Sequence, residues 1–279
     1  MSSTSASDPA PSIEISGLTV GYRGGTVALH DVTLSLNGFT ICGLVGMNGA
    51  GKSTLFKAIM GFLAPSAGSI SISGRPLRWA QKNGAVAYVP QTEEVDWTFP
   101  VSVRDVVTMG RQGRMGFLRI PSAEDRRIVS ESLERVGMSA YAARQIGELS
   151  GGQRKRVFLA RALAQEARIV LLDEPFTGVD VGTERAIVDV LQGLKASGQL
   201  ILVSTHNLGS VPEFCDEVIL LNRALVASGP VAEVYTPENL GRTFESALQQ
   251  LPFGLVAVPG GRGLAPPVPL GLARARAAG

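Results

Sequence analysis

Residues 46–54 read GMNGAGKST, and no other stretch of the chain restricts its fold as tightly. The run satisfies G-x-x-x-x-G-K-[ST], a loop that works only between a buried strand and the start of a helix. Residues 39–45 supply a nearly continuous apolar run for the strand, and residues 55–62 a helical pattern. Gly46, Gly49 and Gly51 let the backbone turn its N–H groups inward around phosphates. Lys52 adds a point charge at the terminal ones, and the Ser53 hydroxyl suits Mg²⁺. Asn48 and Thr54 complete the expected binding set. The side chain of Met47 is expected to point away from the phosphates.

Around this loop the chain reads as α/β. Residues 13–20 and 26–36 alternate apolar and polar positions, as half-buried antiparallel strands do. Short apolar runs at 86–89, 169–172, 200–204 and 218–221 alternate with helical patterns, which predicts a parallel sheet. From Gln91 to Ala164 the pattern is helix after helix, with Ser122 and Asp125 marking one start and Gly137 one stop. The expected layout is a tail over 1–11, one domain over 12–250 with a helical insert at about 92–164, and a tail rich in Pro, Gly, Ala and Arg over 251–279. There are no internal repeats.

Two further motifs carry chemistry. In RIVLLD, residues 168–173, a buried strand ends on Asp173, and Glu174 follows at once. An open α/β sheet presents ligand-facing groups at that end of its strands, so Asp173 is expected to hold Mg²⁺ and Glu174 to deprotonate an attacking water. In LSGGQ, residues 149–153, Ser150 is a natural N-cap, while Gly151 and Gly152 leave the first N–H groups of a helix open to an anion. One nucleotide does not need two helix N-termini from distant sequence. This second one, Ser150 to Gln153, is therefore read as serving a nucleotide held by another subunit.

Composition narrows the rest. Lys and Arg total 26 against 24 Asp and Glu, a net of +2, which gives no general nucleic-acid-binding surface. Between Arg104 and Arg161 twelve basic residues face six acidic ones, so this segment presents either a solvated helical surface or a face for phosphates or a partner. Two cysteines and two histidines are too few for a zinc cage or a disulfide framework. No apolar stretch reaches the roughly 18 to 20 residues that cross a bilayer. Membrane contact is expected only through a partner.

The ordered set GMNGAGKST, Gln91, LSGGQ, RIVLLDEP, Gly178-Val179-Asp180 and His206 resembles the ATP-binding cassette ATPases, over about residues 12–245. The resemblance implies a P-loop fold with an N-terminal antiparallel β subdomain and an inserted α-helical subdomain. It also implies a homodimer packed head to tail, each ATP held between the phosphate loop of one subunit and LSGGQ of the other. Tyr22 would stack on adenine, Gln91 would reach Mg²⁺ and the water, Asp180 would belong to a loop crossing the dimer, and His206 would contact the γ-phosphate. Met47 departs from the proline common in the family.

Such ATPases drive several machines. A DNA-repair or chromosome ATPase would need long heptad helices between Lys52 and Ser150, where only 97 residues (53 to 149) intervene. A translation factor would carry two cassettes. Transport is the expected role, with separate membrane permease subunits, a substrate-binding protein outside the membrane, and this chain on the cytoplasmic face. VDWTFP, residues 95–100, resembles the manganese, zinc and iron importer branch, with Thr98 where Asp is commoner; iron-siderophore and cobalamin importers are the alternative. Trp97 and Phe99 suit either a groove gripping a permease helix or the helical segment's own core.

Overall fold

The computed structural model describes residues 10–22, 24–91 and 99–250, with backbone alone for 245–250. In chain order the elements are β1 Ser12–Gly21, β2 Val27–Asn37, β3 Ile41–Val45, α1 Lys52–Ile59, β4 Ala67–Ile72, β5 Arg75–Pro76, α2 Leu77–Lys82 and β6 Val86–Val89. Next come α3 Val103–Met109, α4 Ala123–Arg135, α5 Gly151–Ala164, β7 Ile169–Asp173, α6 Val181–Ala196 and β8 Leu200–Thr205. The described part closes with α7 Val211–Phe214, β9 Glu217–Asn222, β10 Ala224–Pro230, α8 Val231–Val234 and α9 Pro237–Gln250.

Two sheets form. The first, ordered β2-β1-β4-β5, is antiparallel and buries one side of β1 and β2, as their alternating sequences require. The second is ordered β10-β9-β3-β8-β7-β6, and its strands from β9 to β6 are parallel. Strands β3, β7 and β8 are buried along their whole length, which accounts for their unbroken apolar runs. Alternation sorts their side chains between two cores. Leu44, Leu171 and Leu202 meet Leu55 and Phe56 of α1 and the β1–β2 face, whereas Val170, Leu172 and Val203 meet α5 and α6. Each such side chain contributes about 1.5–3 kcal/mol by leaving water.

This topology positions the site. Strands β3, β8, β7 and β6 are neighbours and parallel, so the loops leaving their C-terminal ends lie in a row: 46–51, His206, Glu174 and Gln91.

The structure departs from the sequence expectations in several places. Strand β3 begins at Ile41, and Phe39 is 52% exposed, because Gly38 turns the chain with φ +83° just before it. Helix α1 starts at Lys52 and stops at Ile59, where Gly61 at φ +72° reverses the backbone, so Phe62 lies outside the helix and is 64% exposed. The runs expected to form a parallel sheet do so, and β10, not expected from the sequence, adds an antiparallel edge beside β9. Pro11, placed in the expected tail, is buried and its carbonyl accepts from Gly38 N. Helices α3, α4 and α5 pack together, and α4 carries a Ser122–Asp125 capping box, with Gly137 at φ +65° just past its end. Trp97 and Thr98 lie outside the described residues, as do 1–9 and 251–279.

Candidate functional site

Gly49 and Gly51 hold φ +83° and +99°, the left-handed geometry that curls the loop and lets α1 begin at once. A side chain at Gly46 would put its Cβ 2.3 Å from the Leu221 carbonyl, so the close approach itself demands glycine. The loop borders a cleft of about 510 Å³, lined among others by Tyr22, Asn48, Lys52, Ser53, Thr54 and Glu174. Met47 and Gln91 also line it. Lys52 is only 5% exposed and donates to the carbonyls of Gly46 at 2.7 Å and Met47 at 3.1 Å. Burial pushes its ammonium below the ordinary lysine value, while the Glu174 and Asp173 charges pull it back up. Tyr22, 44% exposed, reaches over the loop's end, its hydroxyl 2.9 Å from that of Thr54.

The acidic pair sits beside this loop. Asp173 is buried at the end of β7, where Ser204 Oγ donates to Oδ1 at 2.6 Å and Tyr88 OH to Oδ2 at 3.4 Å. The same Ser204 hydroxyl accepts from Glu174 N at 2.9 Å. Glu174 adopts φ +50°, a costly backbone for a non-glycine residue, and this bend turns its carboxylate toward the cleft. Four groups then meet on that carboxylate. Gln91 Nε2 donates to Oε2 at 2.9 Å and Thr177 Oγ1 at 3.1 Å, His206 Nδ1 stands 3.2 Å from the same oxygen, and Lys52 Nζ is 3.8 Å from Oε1. Glu174, Gln91 and His206, separated widely in sequence, are thus brought together with Lys52.

Ser150 and Asp180 do different local work. Ser150 caps α5 in a capping box with Gln153; Ser150 and Gly151 are exposed, Gly152 and Gln153 half-buried. Asp180 caps α6, accepting from Thr183 N at 3.0 Å, and Gly178 turns the preceding loop at φ +73°. None of Ser150, Gly151, Gly152, Gln153 and Asp180 lines the cleft that holds Lys52.

Chemically, the cleft can accept an anion on the loop's N–H groups and Lys52. The hydroxyl of Ser53, the side-chain carbonyl of Gln91 and the carboxylate of Asp173 offer only hard oxygen donors, which fit Mg²⁺ and not a softer metal. No cluster of three or more His, Cys, Asp or Glu that could hold a metal occurs among the described residues. Sequence reading missed Thr177, Ser204, Tyr88 and Arg223. Ser204 was within reach: it is a polar residue near the end of the buried run LILVST and pairs with Asp173 across parallel strands. Arg223 lines the cleft from the β9–β10 turn with φ +59°, and nothing in its sequence surroundings marks it.

The sequence profile of the family described as ABC transporter matches residues 29–177. The chain is 59% identical over 241 residues to the chelated iron transport system membrane protein YfeB of Yersinia pestis, covering 86% of this chain and 81% of that one. It is equally 59% identical over 232 residues to the manganese transport system ATP-binding protein MntA of a Synechocystis strain, covering 83% and 89%. Among solved structures, a chain of an ABC transporter in an inward-facing conformation superposes with a TM-score of 0.73 at 27% identity, covering 85% of this chain and 89% of that one.

Proposed function

The chain belongs to the ABC transporter family as an ATP-hydrolysing subunit, and we propose that it powers the import of a transition metal ion, manganese, iron or zinc, through a separate membrane permease. What supports the cargo is the naming of two relatives at 59% identity for chelated iron and manganese transport. What supports a separate permease is that no helix among the described residues is long and apolar enough to cross a membrane.

The observation that carries the chemistry is the meeting of Gln91, His206 and Lys52 on the Glu174 carboxylate. In this reading ATP lies in the cleft with its base against Tyr22 and its phosphates on Gly46, Asn48, Gly49, Gly51 and Thr54. Lys52 exchanges its two carbonyl partners for terminal phosphate oxygens. Ser53, Gln91 and Asp173 would hold Mg²⁺, which when bound offsets the phosphate charge. Glu174 takes a proton from water as the water oxygen attacks the γ-phosphorus and the bond to the β-phosphate oxygen breaks. Gln91 and His206 fix the water and the γ-phosphate. Such general-base assistance contributes roughly 10²- to 10⁴-fold.

The turn at Ser150–Gln153, exposed at Ser150 and Gly151 and outside its own cleft, favours a head-to-tail homodimer in which it and Asp180 face the partner's nucleotide. A groove of about 870 Å³ between the main sheet and the helical insert, bordered by Phe62, Tyr88, Met109 and Arg114, favours a permease segment as occupant. Through that permease the chain would sit on the cytoplasmic face of the membrane, and an external binding protein would deliver the cargo. The test is uptake of radiolabelled manganese, iron and zinc by cells deleted for this chain. Parent protein should restore uptake of at least one ion and Glu174→Gln should restore none; full uptake in the deleted cells would overturn the assignment.

A further inference from the structure

Lys155, on the second turn of α5, has no part in the reaction just described, yet it is half-buried against the loop that follows β7. Its ammonium donates to the carbonyl of Thr177, to that of Pro175 at 3.3 Å and to that of Glu174 at 3.4 Å. An ammonium has three N–H donors, and here each finds a backbone acceptor in one four-residue turn. This is the turn in which Glu174 keeps its left-handed φ of +50°, so the three carbonyls belong to a strained stretch of backbone. Lys155 and Glu174 also border one small space of about 20 Å³ with Gln91 and Asp173, which puts the lysine directly behind the acids.

The first turn of α5 also lies near α6. Gly152, in the first turn of α5, lies so close to α6 that a Cβ there would stand 3.3 Å from Thr183 Oγ1. That hydroxyl donates to Asp180, the cap of α6, at 2.8 Å. The start of α5 is therefore bonded to the Glu174 turn through Lys155 and lies close to α6 at Gly152.

We propose that Lys155 is a positioning residue that ties the N-terminal turn of α5 to the Glu174 turn, so that nucleotide engaged at Ser150–Gln153 resets Glu174 in the same subunit. The inference rests on the head-to-tail reading above. In such a dimer the start of α5 meets the partner's nucleotide while Glu174 serves its own, so Lys155 lies on a path between the two ATP sites. Three hydrogen bonds from a rigid helix allow the turn little independent movement. A small displacement of α5 is passed on as a displacement of the carboxylate, and misplacement of a reacting group by about 1 Å costs up to roughly 10²-fold in rate.

The test uses the full chain and Mg-ATP, comparing the parent with Lys155→Arg and Lys155→Met. For Lys155→Met we expect kcat to fall about tenfold, KM and the affinity for ATP in the absence of turnover to stay within about twofold, and the Hill coefficient to drop toward one. Lys155→Arg, which keeps charge and donors, should recover most of both kcat and cooperativity. Parent-like kcat and Hill coefficient in Lys155→Met overturn the proposal. So does a Lys155→Arg variant as impaired as Lys155→Met with an unchanged melting temperature. If Lys155→Met fails to fold, Lys155→Gln replaces it, with an intermediate loss expected and parent-like behaviour counting against the idea. A Hill coefficient of one in the parent would instead sink the underlying head-to-tail reading, so the two failures are distinguishable.

Discussion

Gln91 donates to the Glu174 carboxylate across 2.9 Å, although 83 residues separate the two in sequence. The bond joins the ends of β6 and β7, two paired parallel strands, and holds Glu174 at the mouth of the cleft. Binding and chemistry should separate at this carboxylate. Glu174→Gln keeps the size and much of the hydrogen bonding but removes the base, so hydrolysis is expected to fall by roughly 10²-fold or more with ATP affinity retained. Phosphate release and size-exclusion chromatography with Mg-ATP read the two effects. Accumulation of an ATP-bound dimer is expected, and parent-rate phosphate release would remove Glu174 from its role.

Lys52 is buried with its ammonium on two loop carbonyls, and it is the cation that a terminal phosphate entering the loop would meet. A charge-assisted hydrogen bond is worth about 1.5–3 kcal/mol, so Lys52→Ala should weaken ATP binding by roughly ten- to a hundredfold. Calorimetry at constant ionic strength measures this. An unchanged affinity would contradict the phosphate-loop reading.

The loop, the acidic pair and the cap at Ser150 were legible because each depends on residue type at fixed spacing. Their convergence was not, since it follows from the strand order β3-β8-β7-β6, which no local pattern encodes. Strand β4 was missed because its first three residues are exposed and AGSISI carries little apolar signal. The extent of α1 was misjudged because periodicity continues to Phe62 while Gly61 breaks the backbone. Arg111 shows the same limit. A lone arginine in a basic segment reads as solvated, yet it is 5% exposed and fastens α3, α4 and α5 through Asp125, Glu166 and the Ala164 carbonyl.

The Asp125 carboxyl beside that arginine sets a pH dependence. Hydrogen bonds from the Ser122 hydroxyl, then from Arg111 and the Ser122 backbone, hold the Asp125 carboxyl at about 2, below the unfolded value of about 3.9. Its folded pKa is depressed, so its contribution to stability is complete above about pH 4 and is lost as pH falls toward about 2. Asp125→Asn should therefore lower the melting temperature clearly at about pH 6 and much less at about pH 2.5. A melting-temperature difference that stays constant across that range would show that the carboxylate is not the stabilising group.

The groove between the main sheet and the helical insert offers the remaining test, and its floor is connected to the cleft. Phe62 packs edge-on against Tyr88 with ring centroids 6.4 Å apart, and the Tyr88 hydroxyl donates to Asp173. Met109, 43% exposed, forms part of the opposite wall. Phe99, expected from the sequence to grip a permease helix or fill a core, is 62% exposed and does not line this groove, so Phe62 and Met109 are the better anchors. An apolar anchor of this kind gives about 2 kcal/mol or more to an interface when it is enclosed by a partner, and a carboxylate in its place is costly to bury. Exposed in the free chain, it contributes little to the fold. Met109→Glu is therefore expected to leave hydrolysis by the isolated subunit within about twofold and to abolish metal uptake in cells. Copurification with the membrane fraction should fall in parallel. Normal uptake by Met109→Glu would move the permease contact elsewhere, whereas loss of basal hydrolysis would mean that the substitution reaches the cleft through Tyr88 and Asp173.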